Sequence, residues 1–465
     1  MALLSAGFRL GLYFWEHSNT RFKYLYLSKI MKKGTLILFA ISFIISSCKK
    51  DECPIIDDGG IEVTCDTTFI PVVMCHGFLA SGDTYASQAK RFAQNNYCAT
   101  STYVFDWNSL GVGSSVDALD DFIDDILSST GATQIELVGH SAGGGLGYDY
   151  LADATRAGKV AHYVHLGSNA QSGPAGPNGE VPTLNIYSPY DGIVSGADIP
   201  GATNVSLNLK DHYEVATSEE TFSEIFEFFR GEAPTSTAIF SDDKRAVSGK
   251  VLTLGENAPL VDATVNVYKL NSTTGERLEA QPLVTYMTGG EGEWGSFNAD
   301  QDAHYEFEVI SANAADRKLH YYREPFLTSD RLVYLRAFPP ASSLAGTLLA
   351  SLPEDDDQAV VISFTSSQAV IYDRDEMTVE GYNLSTAEFA PESNTTIAYF
   401  LYDDGNGQSD ETAVGLFGFT SFLTGVDVFF PTNQQPTIDL NFNGRELHVP
   451  SWPSETEGVT IVVFD

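Results

Sequence analysis

The sequence predicts one α/β domain built on a mostly parallel sheet, followed by two all-β, sandwich-like domains. Three observations carry this. Apolar runs and amphipathic segments alternate over residues 68–232, the pattern of strands covered on both faces by helices. Beyond that, over 233–340 and 341–465, the period changes to short alternating strands between Gly, Asn, Asp and Pro clusters. The chain has 465 residues, 43% of them hydrophobic and 12% aromatic, enough for more than one packed core.

Each element has its own signal. FIPVVMC (69–75) is an uninterrupted apolar run and reads as a strand buried on both faces. Residues 84–95 read as helix and TYVFDW (102–107) as strand. SSVDALDDFIDDILSSTGA is amphipathic: Val116, Leu119, Phe122, Ile123, Ile126 and Leu127 share a face, a serine opens it and Gly131 closes it. IELV is the next strand and 142–157 the next helix; VAHYVHL (160–166), TLNIYS (183–188) and NVSLNL (204–209) are three more strands. TSEETFSEIFEFFR closes the domain as a helix, with Thr217 and Glu220 as its expected capping pair. AVSGKVLTL, ATVNVYKL, HYEFEVI and RLVYLRAF then supply strands up to Pro339-Pro340, which marks a boundary. Segments from AVVISFTS to VTIVVFD repeat the β texture to the end.

The N-terminal region reads as an address. Residues 1–30 are expected to be a mis-called upstream start. From Met31, MKKGTLILFAISFIISSCKK shows two lysines, an apolar core too short for a bilayer crossing, and small residues before Cys48. Ile45-Ser46-Ser47-Cys48 resembles a bacterial lipobox, which implies a signal peptide over 31–47, cleavage before Cys48 and lipid on its thiol. The KKDE that follows resembles the export tag of surface lipoproteins in one Gram-negative phylum. Together these imply an exported outer-membrane lipoprotein facing the periplasm or the cell surface, with residues 48–67 as a polar tether.

Cysteine use and charge agree with export. Apart from Cys48 the chain has Cys53, Cys65, Cys75 and Cys98, an even number for a disulfide-permissive compartment. Cys53 with Cys65 would close a small loop in the tether, while Cys75 and Cys98 each read as a buried thiol. Charge is lopsided, with 26 Lys and Arg against 62 Asp and Glu for a formal −36. That argues against nucleic-acid phosphate as a partner.

Chemistry concentrates at Gly139-His140-Ser141-Ala142-Gly143, where a strand turns into a helix. Such a corner lifts a serine hydroxyl out of the sheet, within reach of a base. An esterolytic serine needs that base, a carboxylate to orient it, and two N–H donors for the oxyanion. The order Ser, Asp, His follows: Asp191 in IYSPYDGIVSG and His212 in LKDHYEVATS, each beyond the C-terminal end of a strand. Asp106 is the runner-up acid, and Asp211 adjoins His212 but would point elsewhere. His140, His162 and His165 read as structural, with no metal spacing. DDGNGQSDE (403–411) is similar to a calcium loop, but a hairpin turn explains Gly405, Asn406 and Gly407 without a metal, and calcium binding stays open here.

PVVMCHGFLASG, GHSAGG, SPYDGIV and DHYEVATSEETFSEIFEFF together resemble the α/β-hydrolase lipases and esterases, especially the small bacterial class, over residues 68–231. The resemblance implies Ser141 as nucleophile, His212 as base and Asp191 as its orienting acid. It makes His76-Gly77 the oxyanion-turn motif, Phe78 and Ala142 the N–H donors, and Gly139 and Gly143 the supports of the elbow. The implied substrates are carboxylic esters, small-molecule or lipid, acylglycerols among them, with no metal or organic cofactor. Some lipases also carry two β-rich domains after the hydrolase domain. Ala142 departs from the larger residue of many small lipases, which leaves chain-length preference open. Also open are a thioesterase or polyester depolymerase, and a non-catalytic surface-binding lipoprotein with a relic hydrolase domain.

Overall fold

The computed structural model describes residues 65–111, 115–415, 417, 421–433 and 436–465. The upstream segment, the signal, Cys48 and Cys53 lie outside them. Among the described residues no helix is long and apolar enough to cross a membrane.

The first part is a six-stranded parallel sheet in the order β2-β1-β3-β4-β5-β6. Its strands are β1 (Val72–Cys75), β2 (Thr102–Phe105), β3 (Ile135–His140), β4 (Val160–Leu166), β5 (Thr183–Tyr187) and β6 (Thr203–Ser206). Between and after them run α1 (Ala86–Gln94), α2 (Ser115–Thr130), α3 (Ala142–Leu151), α4 (Ala154–Ala157), α5 (Glu214–Thr217) and α6 (Glu219–Arg230). Alternation along β1 sets the two layers. Val72 and Met74 face Phe92 of α1 and Phe222, Phe226 and Phe229 of α6, while Val73 and Cys75 face Leu119, Ile123 and Ile126 of α2 and Leu146 of α3. Burial also pushes the Cys75 thiol up to about 12.

Strand order places the site. The chain steps from β1 to β2 on one side, then crosses back to β3 on the other, so neighbouring loops diverge beyond the C-terminal ends of β1 and β3. Open α/β sheets form their crevice at such a switch point.

Two expectations need correction. Cys98 is not a free thiol: it forms a disulfide with Cys65, which lies beside it because Asp66 N–H bonds Asn96 O just before it. The last helix is capped by Ser218, whose hydroxyl accepts the Thr221 N–H, because the chain first makes the short α5 that consumes Thr217.

The remainder is β-rich, as predicted. It comprises β7 (Ala246–Thr253), β8 (Thr264–Lys269), β9 (Val284–Met287), β10 (Glu293–Asn298), β11 (Tyr305–Ile310), β12 (Leu319–Arg323) and β13 (Leu335–Ala337). A short helix α7 (Leu344–Leu349) then precedes β14 (Val361–Thr365), β15 (Met377–Val379), β16 (Tyr382–Asn383), β17 (Ala398–Tyr402), β18 (Leu423–Asp427), β19 (Thr437–Phe442), β20 (Arg445–Pro450) and β21 (Val459–Phe464). Three sheets result: β10-β7-β13, β16-β15-β19-β20, and an eight-stranded β18-β17-β14-β21-β12-β11-β8-β9. Strands from both sides of residue 340 share the large sheet. The cause is β21: its run VTIVVF is buried throughout and pairs in parallel with β12 on one side and β14 on the other.

Candidate active site

Ser141 leaves β3 at φ 52° and ψ −118°, a left-handed value uncommon for a residue with a Cβ, and α3 begins at the next residue. The turn is held by Ser141 N–H to Leu166 O at 2.9 Å and by the Ser168 hydroxyl to Ser141 O at 2.8 Å. Close approach dictates the glycines. A Cβ on Gly143 would sit 2.3 Å from Cys75 O, and one on Gly77 would sit 3.1 Å from Ser141 Cβ. The turn after β1 therefore rests directly against the Ser141 corner.

His212 Nδ1 donates to Asp191 Oδ2 at 2.7 Å, with both side chains buried. The other oxygen of Asp191 accepts the N–H groups of Ile193 and Val194, each at 2.8 Å, so the carboxylate is fixed from both ends. His140, next to Ser141, donates from Nε2 to His212 O at 2.9 Å, and the two rings lie 4.7 Å apart. Burial holds His140 well below the usual imidazole range, so it stays neutral. Acid and imidazole are thus paired, and the backbone of the imidazole's residue is tied to the residue before Ser141.

His76 organises the turn after β1. Its Nδ1 donates to Gly77 O at 2.8 Å, and its Nε2 accepts the Trp107 N–H at 3.2 Å and Asn257 Nδ2 at 3.1 Å. Burial lowers its proton affinity, which preserves that neutral tautomer. Asn257 comes from the β-rich part and was not singled out in the sequence. Neither was Phe422, whose ring stacks 5.9 Å from that of His212.

Beside these groups opens a narrow apolar cleft with a cavity volume of about 80 Å³. Gly77, Phe78, His140 and His212 line its hydrolase side, and Leu254, Ala345, Leu349, Phe364, Phe400 and Phe422 line the other. The remaining candidates go elsewhere. Asp106 accepts Lys250 Nζ at 2.8 Å and the Tyr334 hydroxyl at 2.9 Å, joining the sheet to the β-rich part. His162 pairs with Glu136 at 2.9 Å, and His165 bonds the Tyr163 hydroxyl and Asn169 O.

Comparison with known proteins agrees with this architecture. Residues 70–194 match the family model of the alpha/beta hydrolase fold, residues 243–340 that of the lipase C-terminal domain, and residues 363–465 a further C-terminal-domain model. The first segment thus has the α/β-hydrolase fold. Among solved structures, naproxen esterase from Bacillus subtilis is 13% identical, with 36% of this chain and 86% of that chain covered and a TM-score of 0.28. The lipase BlEst2 of Bacillus licheniformis is 16% identical, with 36% and 94% covered and a TM-score of 0.29.

Proposed function

We propose that the protein is a serine esterase of lipase type that cleaves carboxylic esters through an acyl-enzyme. Ser141 attacks the ester carbonyl while His212 takes its proton, and Asp191 holds the imidazole with Nε2 toward the serine. The N–H groups of Phe78 and Ala142 stabilise the tetrahedral oxyanion; one such donor is worth about 100- to 1000-fold in turnover. His212 returns the proton to the leaving alcohol, and water then releases the acid by the same route.

One observation carries the reading: the buried Asp191–His212 pair, tied through His140 to a strained serine. The apolar cleft beside it suits the acyl chain of a lipid ester. Export with acylation at Cys48 completes the proposal, supported by the Met31–Cys48 pattern and by a disulfide that needs an oxidising compartment.

A fluorophosphonate probe tests the mechanism. It should label Ser141 in the folded protein, and Ser141→Ala should lower ester turnover by at least about 1000-fold. Unchanged turnover in that variant would overturn the reading.

A further inference from the structure

β17 and β18 run parallel with Tyr402 opposite Asp427, so both strands end at the same edge of the large sheet. There Asp403, Asp404 and Asp427 each bring a carboxylate oxygen within 4.8 Å of the others. Surface acids cluster often, and clustering alone shows little. This cluster contains a buried orphan. Asp427 is 0% exposed, and among the described residues neither of its carboxylate oxygens has a hydrogen-bond partner.

Such a group is costly. An ionised carboxylate taken from water without a partner loses several kcal/mol, and proteins resolve this by protonation, pairing or metal coordination. Burial and the neighbouring carboxylates of Asp404, Asp403 and Asp410 all disfavour the charged form of Asp427.

The surroundings are already ordered. Asp403 is held by the N–H groups of Gly405, at 2.8 Å, and Gly407, at 3.0 Å, and Asp410 by Asn406 Nδ2 at 2.7 Å. Asp404 is exposed, which leaves an entry path from solvent. The donors are all hard oxygens, without His or Cys, two on the loop after β17 and one at the end of β18. That chemistry suits calcium, which accepts six to eight oxygens in flexible geometry, better than zinc or magnesium.

We propose that Asp403, Asp404 and Asp427 form a calcium site, completed by loop carbonyls and water. The ion would clip β17 to β18 at the end opposite Leu423, the first residue of β18, which lines the cleft next to Phe422.

Calorimetry of the chelator-treated full-length protein with calcium chloride alone is the test, with the thermal midpoint as second readout. One site should saturate with Kd no weaker than about 1 mM, and the midpoint should rise with calcium. Asp404→Asn, on the surface, should weaken binding by about tenfold or more. Asp427→Asn should abolish binding and raise the calcium-free midpoint, because it removes the uncompensated charge. Folded wild-type protein that shows neither heat nor midpoint shift at about 10 mM calcium overturns the site. So does binding left unchanged by Asp404→Asn, or an equal response to magnesium.

Discussion

Arg374 Nη2 donates to Asp211 Oδ2 at 2.9 Å, one residue before the imidazole of His212 in the chain. Its Nη1 reaches Glu214 Oε2 at 2.7 Å, and the Ala369 N–H also bonds Asp211 Oδ2, at 3.0 Å. The loop that carries His212 is therefore gripped on both sides by a segment some 160 residues downstream. Asp211 turns its other oxygen inward to the N–H groups of Tyr213 and Glu214. A residue set aside as a candidate acid thus acts as the anchor of the histidine loop.

Replacing Arg374 should loosen that loop. Asp211 has a side chain 1% exposed and would be left buried beside Glu214 without its cation, whereas Arg374 keeps 31% of its surface in contact with water. The expected cost is about 3 kcal/mol for Arg374→Met, at the low end for breaking a buried pair because of that exposure. Urea unfolding would measure it. Ester kinetics at a temperature where the variant is folded should show kcat down about tenfold or more with KM for a short ester within about twofold, since Arg374 touches the loop rather than the ester. Arg374→Lys, which keeps the charge but not the fork, should fall between.

Acid should weaken the fold through its buried imidazoles. Burial lowers His165 to about 4, and its Nε2–H donates to Asn169 O at 3.1 Å. The unfolded chain takes up this proton near pH 6.5, the folded one only near pH 4, so between them the unfolded state binds more protons and stability falls with pH. From pH 7 to pH 5 this single group removes about 2 kcal/mol. Comparing urea unfolding at both pH values, His165→Gln should lose correspondingly less. An identical pH dependence in the two proteins would show that His165 is not neutral in the fold.

The hydrolase half was largely legible because its signals are local. The run at Val72–Cys75 announces a covered strand, and the spacing of Leu119, Ile123 and Ile126 announces a helix face. Ser141, Asp191 and His212 could be ordered along the chain because each follows a strand. What escaped was whatever depends on distant contacts. Arg374, Asn257 and Phe422 meet the site only through tertiary packing, and nothing in their neighbours marks them. Helix α7 escaped for another reason: Ser343 caps it, accepting the Gly346 N–H at 2.9 Å, but its six residues lie in surroundings that otherwise read as β. The Cys65–Cys98 disulfide, in place of the expected Cys53–Cys65 loop, likewise depends on a distant contact, the run of the chain before β1 alongside Asn96.

That disulfide joins residues 33 apart in sequence and ties the entry of the chain to the loop before β2. Closing a loop of this length removes unfolded-state entropy worth about 3–4 kcal/mol. Cys98→Ser, or reduction of the wild type, should lower the urea midpoint accordingly, while the remote site keeps its turnover where the protein is folded. Loss of less than about 1 kcal/mol would mean that this end of the chain is loosely held in either state.

Chain-length preference should reside in the β-rich half, at α7. Ala345 is buried and faces the cleft opposite Phe78 and His212. If the proposed ester binds as inferred, an indole there would fill the space that a long acyl chain would need, while a two-carbon acyl group would stop short of it at Gly77 and Phe78. Ala345→Trp should therefore cut kcat/KM for esters of eight or more carbons by about tenfold or more and leave acetate esters within about twofold. Overpacking carries its own cost of about 1–3 kcal/mol, so a melting curve belongs beside the kinetics. Equal loss at every chain length, in a variant that is still folded at the assay temperature, would place the acyl group outside this cleft.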